Sequence, residues 1–106
     1  MLNDSLSSRD LLAHLPLTLI FSDYNQTEKT VRLPFTLTSE GAPAGAAAKA
    51  GDLTLFVPWG NLSVFYKDFP YYVGVVVLGH VETGWETIAG MNGEFQVTIE
   101  KIASGK

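Results

Sequence analysis

A chain of 106 residues with 46% hydrophobic and 17% charged residues suits one globular domain, and a domain of this size buries roughly two thirds of its unfolded surface in a single core. The formal charge of −4 argues against an electrostatic nucleic-acid binder, and the absence of cysteine rules out disulfides, thiolate metal sites and a cysteine nucleophile. No apolar stretch approaches the roughly 20 residues that span a bilayer, and the start "MLNDSLSSRD" lacks the basic and apolar regions of a secretory signal, so a cytoplasmic protein with no membrane partner is expected.

Ser7 and Asp10 have capping-box spacing, and Leu6 and Leu11 fall where a hydrophobic staple would close. They predict a short helix at about residues 8 to 15 with Leu11, Leu12 and Leu15 inward, ended by Pro16. "LTLIFSDY" then predicts a strand with Leu17, Leu19 and Phe21 on one face, and the polar residues from Asp23 to Glu28 a turn. The alternation of "TVRLPFTLT" puts Val31, Leu33, Phe35 and Leu37 on one side of a second strand, with Pro34 marking an edge or a bulge because it cannot donate to a ladder.

"SEGAPAGAAAKAGD" is rich in Gly and Ala without a bulky anchor and is predicted to be a loop. It lacks the Gly-Lys-Ser/Thr ending of a phosphate loop, so no nucleotide cofactor is expected there. Residues 52 to 67, "DLTLFVPWGNLSVFYK", predict a hairpin. With Trp59 and Gly60 as its central turn residues, the register sets Val57 opposite Leu62, Leu55 opposite Val64, Leu53 opposite Tyr66 and Asp52 opposite Lys67. The other face then carries Phe56, Asn61, Ser63 and Phe65, with Trp59 at the tip. Two readings of that mixed surface stay open: a second small core covered by the helix or the Gly/Ala loop, or a binding groove.

"YYVGVVVLGHV" reads as a near-continuous apolar strand in which Gly74 marks a bulge or a close backbone approach. Thr83 and Glu86 repeat the capping-box spacing, and Gly90 lies where a helix would stop, which predicts a short helical piece burying Trp85 and Ile88. "GEFQVTIEKI" closes the chain with Phe95, Val97 and Ile99 on one face. The fold class expected is mainly β, an antiparallel barrel or curled sheet with two short helical pieces.

The segments "LPLTL", "DYNQTEK", "SEGAPAG", "AGD", "PWGNLSVFYKDF" and "LGHVETG", in that order, make the chain resemble a family of small, uncharacterised bacterial proteins with a cyclophilin-like fold. The resemblance implies a single cyclophilin-like domain: a β-barrel capped by a short N-terminal helix, with a second short helical turn. It also implies an N-terminal hairpin of which "MLND" matches only the tail, so self-association through an exposed barrel edge, or shielding of that edge by the chain itself, is expected.

True cyclophilins isomerise X-Pro bonds with an arginine on the outer barrel wall. Here the arginines are Arg9, in the expected helix, and Arg32, in a strand, and neither fits that role; Arg32 keeps prolyl isomerase as the alternative because it precedes Pro34 on a polar face. His14 and His80 have no partners at metal spacing, so no metal site is expected, and no catalytic residue is assigned. The function expected is a small-molecule or peptide binding module rather than an enzyme, the further alternative being a structural or oligomerisation module. Its site is a shallow groove on the outer wall formed by Phe56, Trp59, Asn61, Ser63 and Phe65, with Glu40 on the movable Gly/Ala rim.

Overall fold

The fold is described from a computed structural model covering residues 2–3, 5–24, 26–81, 85–91 and 93–100. The elements run α1 (Leu6–Ala13), β1 (Leu17–Tyr24), β2 (Glu28–Arg32), β3 (Gly45–Ala48), β4 (Asp52–Phe56), β5 (Asn61–Phe65), β6 (Phe69–Val73), β7 (Val75–His80), α2 (Trp85–Ala89) and β8 (Phe95–Ile99). The protein is therefore mainly β, with two short helices. The strands form antiparallel sheets in the orders β7-β4-β5-β2-β1-β8 and β3-β6. Among the described residues no ladder joins β7 to β8, so the six-stranded sheet is open.

α1 starts earlier than the capping box suggested. Ser5 is its N-cap, its Oγ accepting from the Ser8 amide at 3.1 Å, while Ser7 is buried and its hydroxyl donates to the Thr38 carbonyl. Asp10 is likewise taken up outside the helix, where it accepts from the Thr38 amide at 2.8 Å. Leu6 is exposed, so no staple with Leu11 forms; Leu11 is fully buried. Thr83 and the side chain of Trp85 lie outside the described residues, whereas Ile88 is half-buried and the Gly90 amide donates to the carbonyls of Glu86 and Thr87 as the helix stops.

β2 ends at Arg32, sooner than the alternation predicted. Past Arg32 the ladder with β5 has reached its last pair, Arg32 with Asn61, and Pro34 has no N–H to extend it. Leu33 and Leu37 still turn inward and are buried. The Gly/Ala stretch is not wholly a loop: Gly45–Ala48 is a strand paired with β6. A Cβ on Gly45 would lie 2.5 Å from the Tyr72 carbonyl oxygen, so only glycine lets these two backbones meet.

The hairpin register is corrected by two residues. Leu53 opposes Val64, Thr54 Ser63, Leu55 Leu62 and Phe56 Asn61, because the connection is the four residues 57–60 rather than Trp59-Gly60 alone. Both the Trp59 and the Gly60 amides donate to the Phe56 carbonyl, which closes the loop before Val57 can pair with Leu62, and Val57 is exposed. Asp52 consequently meets His80 on β7, Oδ1 to Nδ1 at 2.9 Å, and not Lys67. A shift of two preserves which face each side chain takes, since the period along a strand is two.

One face of the large sheet supplies the core: Leu19 and Phe21 of β1, Leu55, Leu62, Val76 and Leu78, closed by Leu11, Leu33 and Leu37. Gly74, at φ +97°, separates β6 from β7, and a Cβ there would lie 2.9 Å from Pro58 Cδ. The outer edge of β7 is met by the chain itself. Leu2 bridges to Gly79, the Asn3 amide and the Ser8 hydroxyl donate to the Leu78 carbonyl, and Asn3 Nδ2 donates to the Val77 carbonyl at 2.7 Å.

Candidate functional site

The face of the sheet away from the core is set by the ladders β4·β5 and β2·β5. Opposed residues share a face, so Phe56 with Asn61, Thr54 with Ser63, Thr30 with Ser63 and Glu28 with Phe65 all project to the same side. There they surround a cavity of about 250 Å³. Its inner surface is buried Thr54 and Phe65 with Thr30 beside them, while its rim carries Trp59, Tyr24 and Tyr72, each about half exposed.

The walls are aromatic. Trp59 stands perpendicular to Phe56 (centroids 5.3 Å apart, 90°) and to Tyr24 (6.4 Å, 84°). Tyr72 continues the wall from Phe56 at 5.9 Å, and Phe69 links Tyr72 to Phe65 at 5.9 and 5.4 Å. The covering layer is thus the two-stranded sheet, with β6 supplying Phe69 and Tyr72, rather than α1.

Among the described residues, Glu28 is the one charged residue lining this cavity. Burial pushes its carboxyl above the usual range, a hydrogen bond from Ser63 pulls the other way, and the Asp23 charge adds to the rise. The buried Ser63 hydroxyl donates to Thr30 Oγ1 at 2.8 Å. No lysine, arginine or histidine among the described residues pairs with Glu28.

Of the residues expected at the groove, Phe56, Trp59, Asn61 and Phe65 line the cavity, and Ser63 sits behind it, reaching it through Thr30 and Glu28. Glu40 is not brought to them. It lies with Gly41, Ala42 and Pro43 on a separate cavity of about 300 Å³, against Asn3, Ser7 and Val76. Sequence reasoning missed Glu28, Tyr24, Phe69 and Tyr72. Extending the alternation of "TVRLPFTLT" backwards puts Glu28 in phase with Thr30, but "TEK" reads as turn; "DFPYYV" reads as an ordinary apolar strand.

On the core side of β2, Lys29 is buried. Its Nζ donates to the Met91 carbonyl at 2.7 Å and pairs with Asp23 Oδ1 at 3.1 Å, 5.3 Å from the centre of the Tyr66 ring. The Tyr66 hydroxyl donates to the same carboxylate. That hydrogen bond, together with those from Lys29 and the Gln26 amide, holds Asp23 below its ordinary value against the opposing effect of burial, while burial and the Asp23 contact push Tyr66 up to about 12.

Arg32 is exposed at the end of β2, opposite Asn61, and Arg9 is exposed on α1. His14 stacks on Phe35 with centroids 3.8 Å apart, and among the described residues no group of three His, Asp or Glu side chains is disposed to hold a metal. No described helix is long and apolar enough to cross a membrane.

Compared with known proteins, the chain matches no curated protein and no solved structure. The model of the cyclophilin-like family matches residues 1–100, nearly the whole chain, and the chain therefore belongs to the cyclophilin-like family.

Proposed function

We propose that this cyclophilin-like domain is a binding module for a small molecule or a short peptide side chain, without prolyl isomerase activity. The observation that carries the reading is the concavity walled by Phe56, Trp59 and Tyr72 over an inner surface of Thr54, Thr30 and Asn61: apolar area to hold a ligand and a few polar groups to orient it. Its volume, about 250 Å³, lies just below the usual range of drug-sized sites, which favours a ligand of one ring or one head group.

A fragment screen followed by ligand-observed NMR tests the reading. Binding that Trp59→Ala weakens at least tenfold while the melting temperature stays within a few degrees supports it, because Trp59 is 52% exposed and contributes little to the core. Fragments that bind elsewhere, or not at all, overturn it.

Prolyl isomerase is the second reading, favoured only by Arg32 standing across the ladder from Asn61. A proline-peptide assay decides: turnover that disappears in Arg32→Ala replaces the binding module with an enzyme. The barrel and self-association readings stand apart from both. β8 has β1 as its single partner among the described residues, which makes its outer edge the place where a barrel would close or a second copy would add. Light scattering across a concentration series tests the second copy.

A further inference from the structure

The groove's walls and its one carboxylate carry a narrower reading that rests on the binding-module function. We propose that the groove takes a small organic cation, an alkylated ammonium head group, with Glu28 as its counter-charge and Tyr24, Phe56, Trp59 and Tyr72 as its aromatic cage.

The geometry suits a cation rather than a flat neutral ring. Trp59 lies at 90° to Phe56 and 84° to Tyr24, so neighbouring rings form the sides of a box and do not leave a slot between parallel planes. The faces of such rings carry negative quadrupole density, and a cation within about 6 Å of a ring centre is attracted to it, the more so when desolvated.

Charge points the same way. Among the described residues Glu28 is the only charged one lining the cavity, and no cationic side chain pairs with it. A carboxylate kept in a partly buried aromatic site without a counter-ion destabilises the empty protein, and a bound ammonium would remove that penalty. An anionic ligand would meet Glu28 and find no lysine, arginine or histidine in the lining. The nearest cation on the same face of β2, Arg32, is not in the lining; it stands at the Asn61 end, four residues and about 13 Å of strand from Glu28 at the usual rise.

The experiment uses the whole chain and two probes of equal shape: choline, and its uncharged carbon isostere 3,3-dimethylbutan-1-ol, measured by calorimetry, with the part of the tryptophan fluorescence that Trp59→Ala removes as a second signal. Choline is expected to bind at least tenfold tighter than the isostere. Glu28→Gln and Trp59→Ala should each weaken choline at least tenfold, and Arg32→Ala should leave it unchanged or slightly tighter. Glu28→Gln should also raise the melting temperature at neutral pH, which a purely structural carboxylate would not do. Equal binding of both probes, insensitive to Glu28→Gln, overturns the cation while leaving the binding module standing. Binding of neither probe, with neutral fragments still seated against Trp59, also overturns the cation alone. Loss of choline binding only in proportion to lost stability in both variants overturns it as well, and a groove that takes no fragment overturns both readings.

Discussion

Lys29 and Asp23 form an ion pair whose two partners are unequally buried, and that inequality makes a sharp prediction. The Lys29 side chain is 4% exposed and the Asp23 side chain 31%. Removing the buried charge should therefore cost less than removing its exposed partner. In Lys29→Met the aliphatic stem keeps its packing, Asp23 keeps the Tyr66 hydroxyl and the Gln26 amide and is solvated, and the Met91 carbonyl belongs to an exposed residue that water can reach. The loss is the charge-assisted hydrogen bonds, about 1.5–3 kcal/mol, offset in part by no longer desolvating an ammonium, leaving about 1–2 kcal/mol.

In Asp23→Asn the ammonium stays buried with no counter-charge, only neutral acceptors, the Met91 carbonyl and the new amide oxygen, and two ring faces beside it. Stranding a buried charge costs about 3–5 kcal/mol, and the low end, about 3, applies because the Met91 carbonyl still accepts. At roughly 4–8 °C per kcal/mol for a domain of this size, Asp23→Asn should melt at least about 4 °C below Lys29→Met. Urea unfolding of the two single variants and the double variant measures both costs and their coupling. A Lys29→Met that is as damaging as Asp23→Asn, or a double variant no better than Asp23→Asn alone, would refute the reasoning. Acid should act through the same carboxylate: the folded value of Asp23 is lowered, so its contribution is present above its unfolded value and is lost as pH falls through the folded one, a dependence that Asp23→Asn should abolish.

Tyr66 gives the alkaline counterpart. Its folded value is raised to about 12, so its contribution is complete below the ordinary tyrosine value of about 10 and fades as pH climbs between the two; the stability gap between wild type and Tyr66→Phe should shrink across that window in urea titrations. Gly74→Ala should lose at least about 2 kcal/mol, combining a positive-φ penalty with a Cβ 2.9 Å from Pro58 Cδ and 3.0 Å from Phe56 Cε1, and should disturb the groove signal of Trp59 at the same time. Leu62→Ala, at a fully buried core position, should cost about 2–5 kcal/mol in chemical denaturation without changing the groove's lining.

Face assignments were legible in the sequence wherever the period of two ran uninterrupted. Leu19 and Phe21, and Leu55 and Leu62, all reach the core as alternation requires, and the groove side of β4 and β5 follows from the same pattern. Loop length was not legible, because Val57 has the composition of a strand residue and the deciding contacts are backbone bonds from Trp59 and Gly60 to Phe56. β3 was hidden for a different reason. Gly45-Ala46-Ala47-Ala48 has no side chain that prefers a strand, and what makes it one is the partner: β6 comes so close to Gly45 that any larger residue would collide with Tyr72. Tertiary pairing overrode local preference, as it does most easily where the local preference is weak.

The site divides along the same line. Residues whose placement follows from one hairpin, Phe56, Trp59, Asn61 and Phe65, could be assembled from sequence because a two-residue error in register leaves their face unchanged. Residues contributed by non-adjacent elements could not. Glu28 reaches the cavity only because β2 lies beside β5, and Tyr72 only because β6 folds across the outer face by way of Gly74. Glu40 failed in the opposite sense: being next to a flexible-looking loop suggested a rim, yet the chain carries that loop to the helix side, against Asn3 and Ser7. The carboxylate that lines the groove is therefore one whose neighbours in sequence, Thr27 and Lys29, give no hint of an aromatic pocket. On the core side of β2, Lys29 is held by Asp23 and Met91, while Glu28 on the other faces a cavity that no cationic side chain among the described residues lines. Adjacent residues of opposite charge thus serve opposite faces of one strand, the lysine paired with Asp23 on the core side and the glutamate lining the cavity on the other.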